Sequence, residues 1–152
     1  MTNISTIYDN VQSVAATALT GYVEIPFPII LEMNDGAGFD KAYGIVLLGA
    51  SVSGSDDEMA TFRIMERDVG IVMINQASFT YGDITQYEVA IKAMMEDFRT
   101  LYKGMEAHGA LAAAIDAQYQ SDSGIEYGTI SDFNFLSLST IFRVRYSDDI
   151  ST

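Results

Sequence analysis

Residues 135–146 alternate with a period of two: Leu136, Leu138, Thr140, Phe142, Val144 and Tyr146 fall on one side, and Ser137, Ser139, Ile141, Arg143 and Arg145 on the other. Such a run specifies a β-strand with one greasy and one wet side, and it demands a sheet whose one face is covered. It also places two of the chain's 8 basic residues, set against 21 acidic ones, on the wet side of the closing strand. Two readings of Arg143 and Arg145 follow. They form cross-strand ion pairs within the sheet, or they face the next copy of the same protein, where heterologous contacts close a ring.

The rest of the chain supplies layers to cover that strand. Ile4, Ile7, Tyr8, Val11, Val14, Ala15, Ala18 and Leu19 recur at spacings of three and four, predicting an amphipathic helix that closes near Thr20-Gly21. Pro26 and Pro28 confine their stretch to an edge or a strand entry, with a strand over residues 29–33. After the turn chemistry of residues 34–40, "AYGIVLLGASV" reads as a strand covered on both faces, and residues 53–58 as an acidic loop.

From Met59 to Phe79 one long bent strand, or two in series, is expected, with Gly70 as a bulge. A long helix follows, with Asp83 as its cap and Ile91, Met94, Met95, Phe98, Leu101, Tyr102 and Met105 as its apolar stripe. The alanine-rich "ALAAAIDAQY" predicts a second, short helix, and residues 125–130 a short strand. The fold class expected is α+β: a mixed, mainly antiparallel sheet flanked by an N-terminal helix and a central long helix plus a short one. One domain over residues 1–152 is the natural division, since a chain this long buries roughly 68–70% of its unfolded surface.

A net charge of −13 with 49% hydrophobic residues places the acidity on a folded surface. That field opposes binding to nucleic acid or an anionic membrane, but it suits the wall of a channel through which DNA slides unbound. There is no cysteine, no apolar run long enough to cross a bilayer, and no export signal in "MTNISTIYDN", so residence in a cytoplasm is expected.

Catalytic patterns are weak. His108 is the only histidine, which excludes multi-histidine metal sites. Asp56, Asp57 and Glu58 lack the alternate spacing of a calcium loop. Gly36-Ala37-Gly38 is too short for a phosphate-binding fingerprint. Glu66 and Asp68, flanking Arg67, project the same way on a strand and are the one carboxylate pair a small-molecule-binding or hydrolytic domain could use. No metal or cofactor is expected.

The opener "NISTIYDNVQSVAATAL", the strand "FRIMERDVGIVMINQ", the helix "QYEVAIKAMMEDFRTLYKGM" and above all the closing "FLSLSTIFRVRYSDD" together resemble the tail terminator, or tail completion, proteins of long-tailed bacteriophages. The likeness covers nearly the whole chain as an order of elements. It implies a subunit without catalytic residues that forms a ring, usually a hexamer, on the end of the tail tube. There it stops polymerisation and offers a surface to the neck, while DNA passes through the lumen. The implied partners are further copies of itself, the tail tube protein and a neck, connector or head-completion protein; the implied location is the virion, after assembly in the host cytoplasm. A neck or connector component is the neighbouring reading. Under either, Arg143, Arg145, Arg67, Asp56, Asp57 and Glu58 are the candidate subunit or partner contacts. Six copies multiply a charge of −13, so assembly needs opposite charge on neighbours or salt.

Overall fold

The computed structural model describes residues 4–26, 40–52, 62–76, 84–130 and 133–149. Helix α1 (Ile4–Ala18) presents the expected face: Ile7, Val11 and Ala15 are buried, as is Leu19 just past its end, while Ile4, Tyr8, Val14 and Ala18 are partly buried beside them. Helix α2 (Ile84–Glu106) buries Met94, Phe98, Leu101 and Met105. Met95, expected on the same stripe, is instead 45% exposed, because it lies one residue round from Met94 and off the line that meets the sheet. The proposed cap Asp83 and the predicted strand over residues 29–33 lie outside the described residues.

Both helices lie on one face of a six-stranded sheet. Its strands are β1 (Val23–Glu24), β2 (Lys41–Val52), β3 (Phe62–Gln76), β4 (Asp116–Asp122), β5 (Glu126–Ile130) and β6 (Phe133–Asp149). The order is β1-β2-β3-β6-β4, with β5 pairing the other half of β6, and all pairs are antiparallel except β1 with β2. The fold is therefore α+β with a mainly antiparallel sheet.

The centre of the sheet is the β3–β6 ladder, which runs unbroken along all 15 residues of β3. Its register puts Val69 opposite Phe142, Ile71 opposite Thr140 and Met73 opposite Leu138, and all six are buried. The alternation in residues 135–146 thus sorts as expected, with its entire greasy set under the helices.

Three expectations are corrected. The alanine-rich stretch is no second helix: α2 gives way to turns at Ala107–Ile115, and Asp116–Asp122 is strand β4. Gly109, at φ 74, takes a left-handed turn that ends helical continuation. Alanine's propensity is a weak prior beside the cross-strand bonds that β6 offers.

The bulge expected at Gly70 lies instead in β2, between Leu47 and Ala50. Gly70 is in regular register, and its role is steric, since a Cβ there would stand 2.6 Å from Val46 Cγ1. Finally, β2 is not covered along its whole length: Ala42–Ile45 are buried and Gly49–Val52 are exposed. No helix among the described residues is long and apolar enough to cross a membrane.

The Gly70 contact gives the first testable expectation. Gly70→Ala should lower stability by about 1–3 kcal/mol through overpacking against the branched Val46 side chain. Adding Val46→Ala should recover most of that loss in urea titrations. If Val46→Ala and Gly70→Ala instead add independently, the contact is not what requires glycine.

Candidate interaction surface

The face of the sheet turned away from the helices carries the charges singled out from the sequence. Register places Glu66, Arg145 and Asp116 in one row across β3, β6 and β4, and Asp68, Arg143 and Gln118 in the next. The Arg145 guanidinium donates to both Asp116 carboxylate oxygens, Nε at 3.1 and 3.0 Å and Nη2 at 2.5 Å. Arg143 Nε donates to Asp68 Oδ1 at 3.1 Å. The hydrogen bonds from Arg145 to Asp116, with that carboxylate's charge and the more distant charge of Glu66, hold the guanidinium above its ordinary range.

Both arginines therefore have partners within the sheet, yet both remain half-exposed. Ion pairs this wet add little to folding stability. What they do is hold four side chains extended in a flat, ordered array that a docking surface could read. At its other end the same face is apolar: Ala42, Val72 and Ile74 are buried, with Ile25 and Phe135 packed against them.

Arg67 does not join this array. One residue out of phase, it projects to the helix side, where Nη1 donates to the Leu48 carbonyl at 2.8 Å and Nε to the Tyr146 hydroxyl at 3.3 Å. It thereby satisfies the carbonyl that the β2 bulge turns out of the ladder. Asp56, Asp57 and Glu58 lie outside the described residues. Glu66 and Asp68 share a face as expected, but each faces an arginine rather than a cleft. His108 is exposed in the turn after α2. Among the described residues no group of three or more acidic or histidine side chains could hold a metal ion.

Two further features carry no short-range sequence signal. At the end of the helix-covered face, the Tyr22 hydroxyl donates to Asp97 Oδ2 at 2.8 Å. Lys41 Nζ approaches the same oxygen at 3.5 Å and lies 5.5 Å from the centre of the Tyr22 ring. Asn75, cross-strand partner of Lys41, is only 7% exposed, and its Oδ1 accepts no hydrogen bond. Burial first, then the bond to Asp97, drives the Tyr22 phenol well above its ordinary range, while a side-chain hydrogen bond with Asn75 works against them.

The second is a groove of about 520 Å³ between α1 and the C-terminal half of α2, lined by Val14, Thr17, Ala18, Thr100, Gly104 and Ala112 among others. The spacing within each helix is legible in the sequence; the meeting of the two is not. Comparison with protein-family models and with curated proteins finds no match for this chain.

The Tyr22 corner yields a pH prediction. A folded-state pKa raised above the unfolded value of 10.0 contributes stability that is whole below about pH 10 and is lost as pH rises towards the folded value. Tyr22→Phe should therefore cost about 0.5–1.5 kcal/mol near neutrality, where a hydrogen bond is lost. It should also decline less steeply than wild type above pH 10. The residual slope comes from Tyr8, Tyr43 and Tyr119, whose phenols are also raised. Urea titrations across that range check the sign; an unaltered slope in the variant would mean Tyr22 ionises alike in both states.

Proposed function

We propose that this chain is a structural subunit of a phage virion, building a closed ring that caps the tail tube. The observation that carries this reading is the one-sided sheet. Two helices cover one face, while the other presents Asp68–Arg143 and Arg145–Asp116 as a rigid, half-exposed ladder. Charges already paired within the subunit can meet a neighbour without the large desolvation that lone charges suffer, so such a face suits specific packing between proteins. The order of the described elements, helix, strands, long helix, strands, supports the resemblance to tail terminators except that β4 stands where a short second helix was expected.

The ring acts by geometry. One of its ends matches the last ring of the tube, so it binds there and leaves no surface for another tube subunit. The other end receives the neck of the filled head. A charge of −13 per copy gives the lumen a field that repels phosphates, letting DNA through without adhesion. The same charge makes assembly salt-dependent, with rings favoured as ionic strength shortens the Debye length to about 8–10 Å.

Two measurements test this. Native mass spectrometry and electron microscopy of the purified chain, alone and with tail tube protein, should show a closed ring, six-membered on the resemblance. A chain that stays monomeric in both would defeat the proposal. Tubes assembled without the protein should overgrow their normal length. Normal tubes in its absence would move the chain from the tube end to the connector side of the neck.

A further inference from the structure

We propose that neighbouring copies meet head to tail through α2, the exposed N-terminal turns of one helix seating in the α1–α2 groove of the next, with Val89 as the apolar anchor. This rests on the ring reading and names the contact that would close it.

The groove's chemistry selects its occupant. Three of its polar side-chain atoms are already engaged: Asn10 Oδ1 accepts the Ala113 amide at 2.8 Å, and Thr17 Oγ1 and Thr100 Oγ1 each donate to a carbonyl one turn back in their own helix, both at 3.0 Å. The rest of the lining is small and mainly apolar, Val14, Ala18, Gly104, Ala110 and Ala112, with Ser13 as its further hydroxyl. A metabolite would need several convergent polar groups to orient it, and here most are bonded within the chain. An apolar protein knob needs only fit.

The same helix carries such a knob. Thr85, Gln86, Tyr87, Glu88 and Val89 are all exposed, and Val89, at 62%, is the most exposed large hydrophobic residue among those described. It cannot fill its own groove, because Val89 and Gly104 stand fifteen residues apart on one straight helix, about 22 Å at 1.5 Å per residue. A knob and a pocket at different places on one surface make a heterologous contact, which propagates and closes into a ring when the rotation permits.

Charge agrees in sign. Arg99 and Lys103, beside the groove-lining Thr100 and Gly104, are exposed and form no ion pair with any described residue. Glu88 adjoins Val89 on the knob. In a chain this acidic, cations left unpaired at a groove's rim are where an acidic neighbour meets least repulsion.

The experiment uses the full chain with two single variants, both at exposed helix positions, their folding verified by circular dichroism and urea titration. Val89→Asp spoils the knob and keeps the groove; Thr17→Trp fills the groove and keeps the knob. In sedimentation velocity each alone should associate at least tenfold more weakly than wild type, with Val89→Leu unaffected. Mixed in equal amounts, the two should form dimers and nothing larger, since one intact knob meets one intact groove and both remaining halves are dead. If the variants form wild-type rings, the contact lies elsewhere and this inference fails while the ring reading stands. If each blocks assembly but the mixture gives no dimer, knob and groove are not partners, and the inference fails again. If wild type itself never leaves the monomer, even with tube protein, the ring reading fails and takes this contact with it.

Discussion

The register of β6 on β3 is the constraint from which the remaining architecture follows. Because side chains alternate along a strand, a slip of one residue would exchange Leu136, Leu138, Phe142, Val144 and Tyr146 for Ser137, Ser139, Arg143 and Arg145 beneath the helices. That would bury two guanidinium groups and expose the five residues β6 gives to the core. Phe142 against Val69 and Leu138 against Met73 hold the register from the inside, and Arg143 against Asp68 marks it from the outside. The ion pair adds little energy, yet its geometry exists in only one register. The face that the helices cannot cover is thereby the face whose charges are ordered.

Much of this was legible because the patterns are local. The eight apolar positions of α1 and the six of β6 need only a period, and burial follows the period at every one of them. The failures have a common physical origin in contacts distant in sequence. Asp116–Asp122 is strand because β6 pairs with it and because Asp116 meets Arg145 twenty-nine residues later. Gly70 is glycine because Val46 lies over it, not because β3 bulges. Nothing in the neighbourhood of Tyr22, Lys41, Asn75 or Asp97 announces that β2, β3, α2 and the connection between α1 and β1 meet there. Among the candidate contacts, Arg143 and Arg145 were placed on the correct side by alternation alone. Their pairing with Asp68 and Asp116 could not be chosen over an intermolecular one until the register was known.

The distribution of positive charge is uneven. Lys41, Arg67, Arg143 and Arg145 each bind an oxygen within the subunit. Lys92, Arg99 and Lys103 stand at intervals of seven and four on α2, which puts all three on one outward stripe. Arg63 on β3 is likewise exposed and outside the ion pairs among the described residues. In the proposed ring, cations such as these are where one acidic copy meets another with least repulsion.

The sheet's edges argue for the same route. Among the described residues β2 is an edge strand beyond its two-residue pairing with β1, but it bulges between Leu47 and Ala50, and Arg67 already occupies the Leu48 carbonyl. At the opposite edge, β4 slips register between Tyr119 and Ser121, and the chain breaks from strand at Ser123–Ile125 before β5 resumes. Asp122 there accepts both the Tyr119 hydroxyl and the Gly124 amide. Bulges, breaks and carboxylates are the devices by which edge strands resist adding another strand. Edges blunted in this way resist extension of the sheet into another copy. In the proposed ring, association is then left to side-chain surfaces, whose shape fixes the angle between copies, and a fixed angle is what a closed assembly of finite number requires.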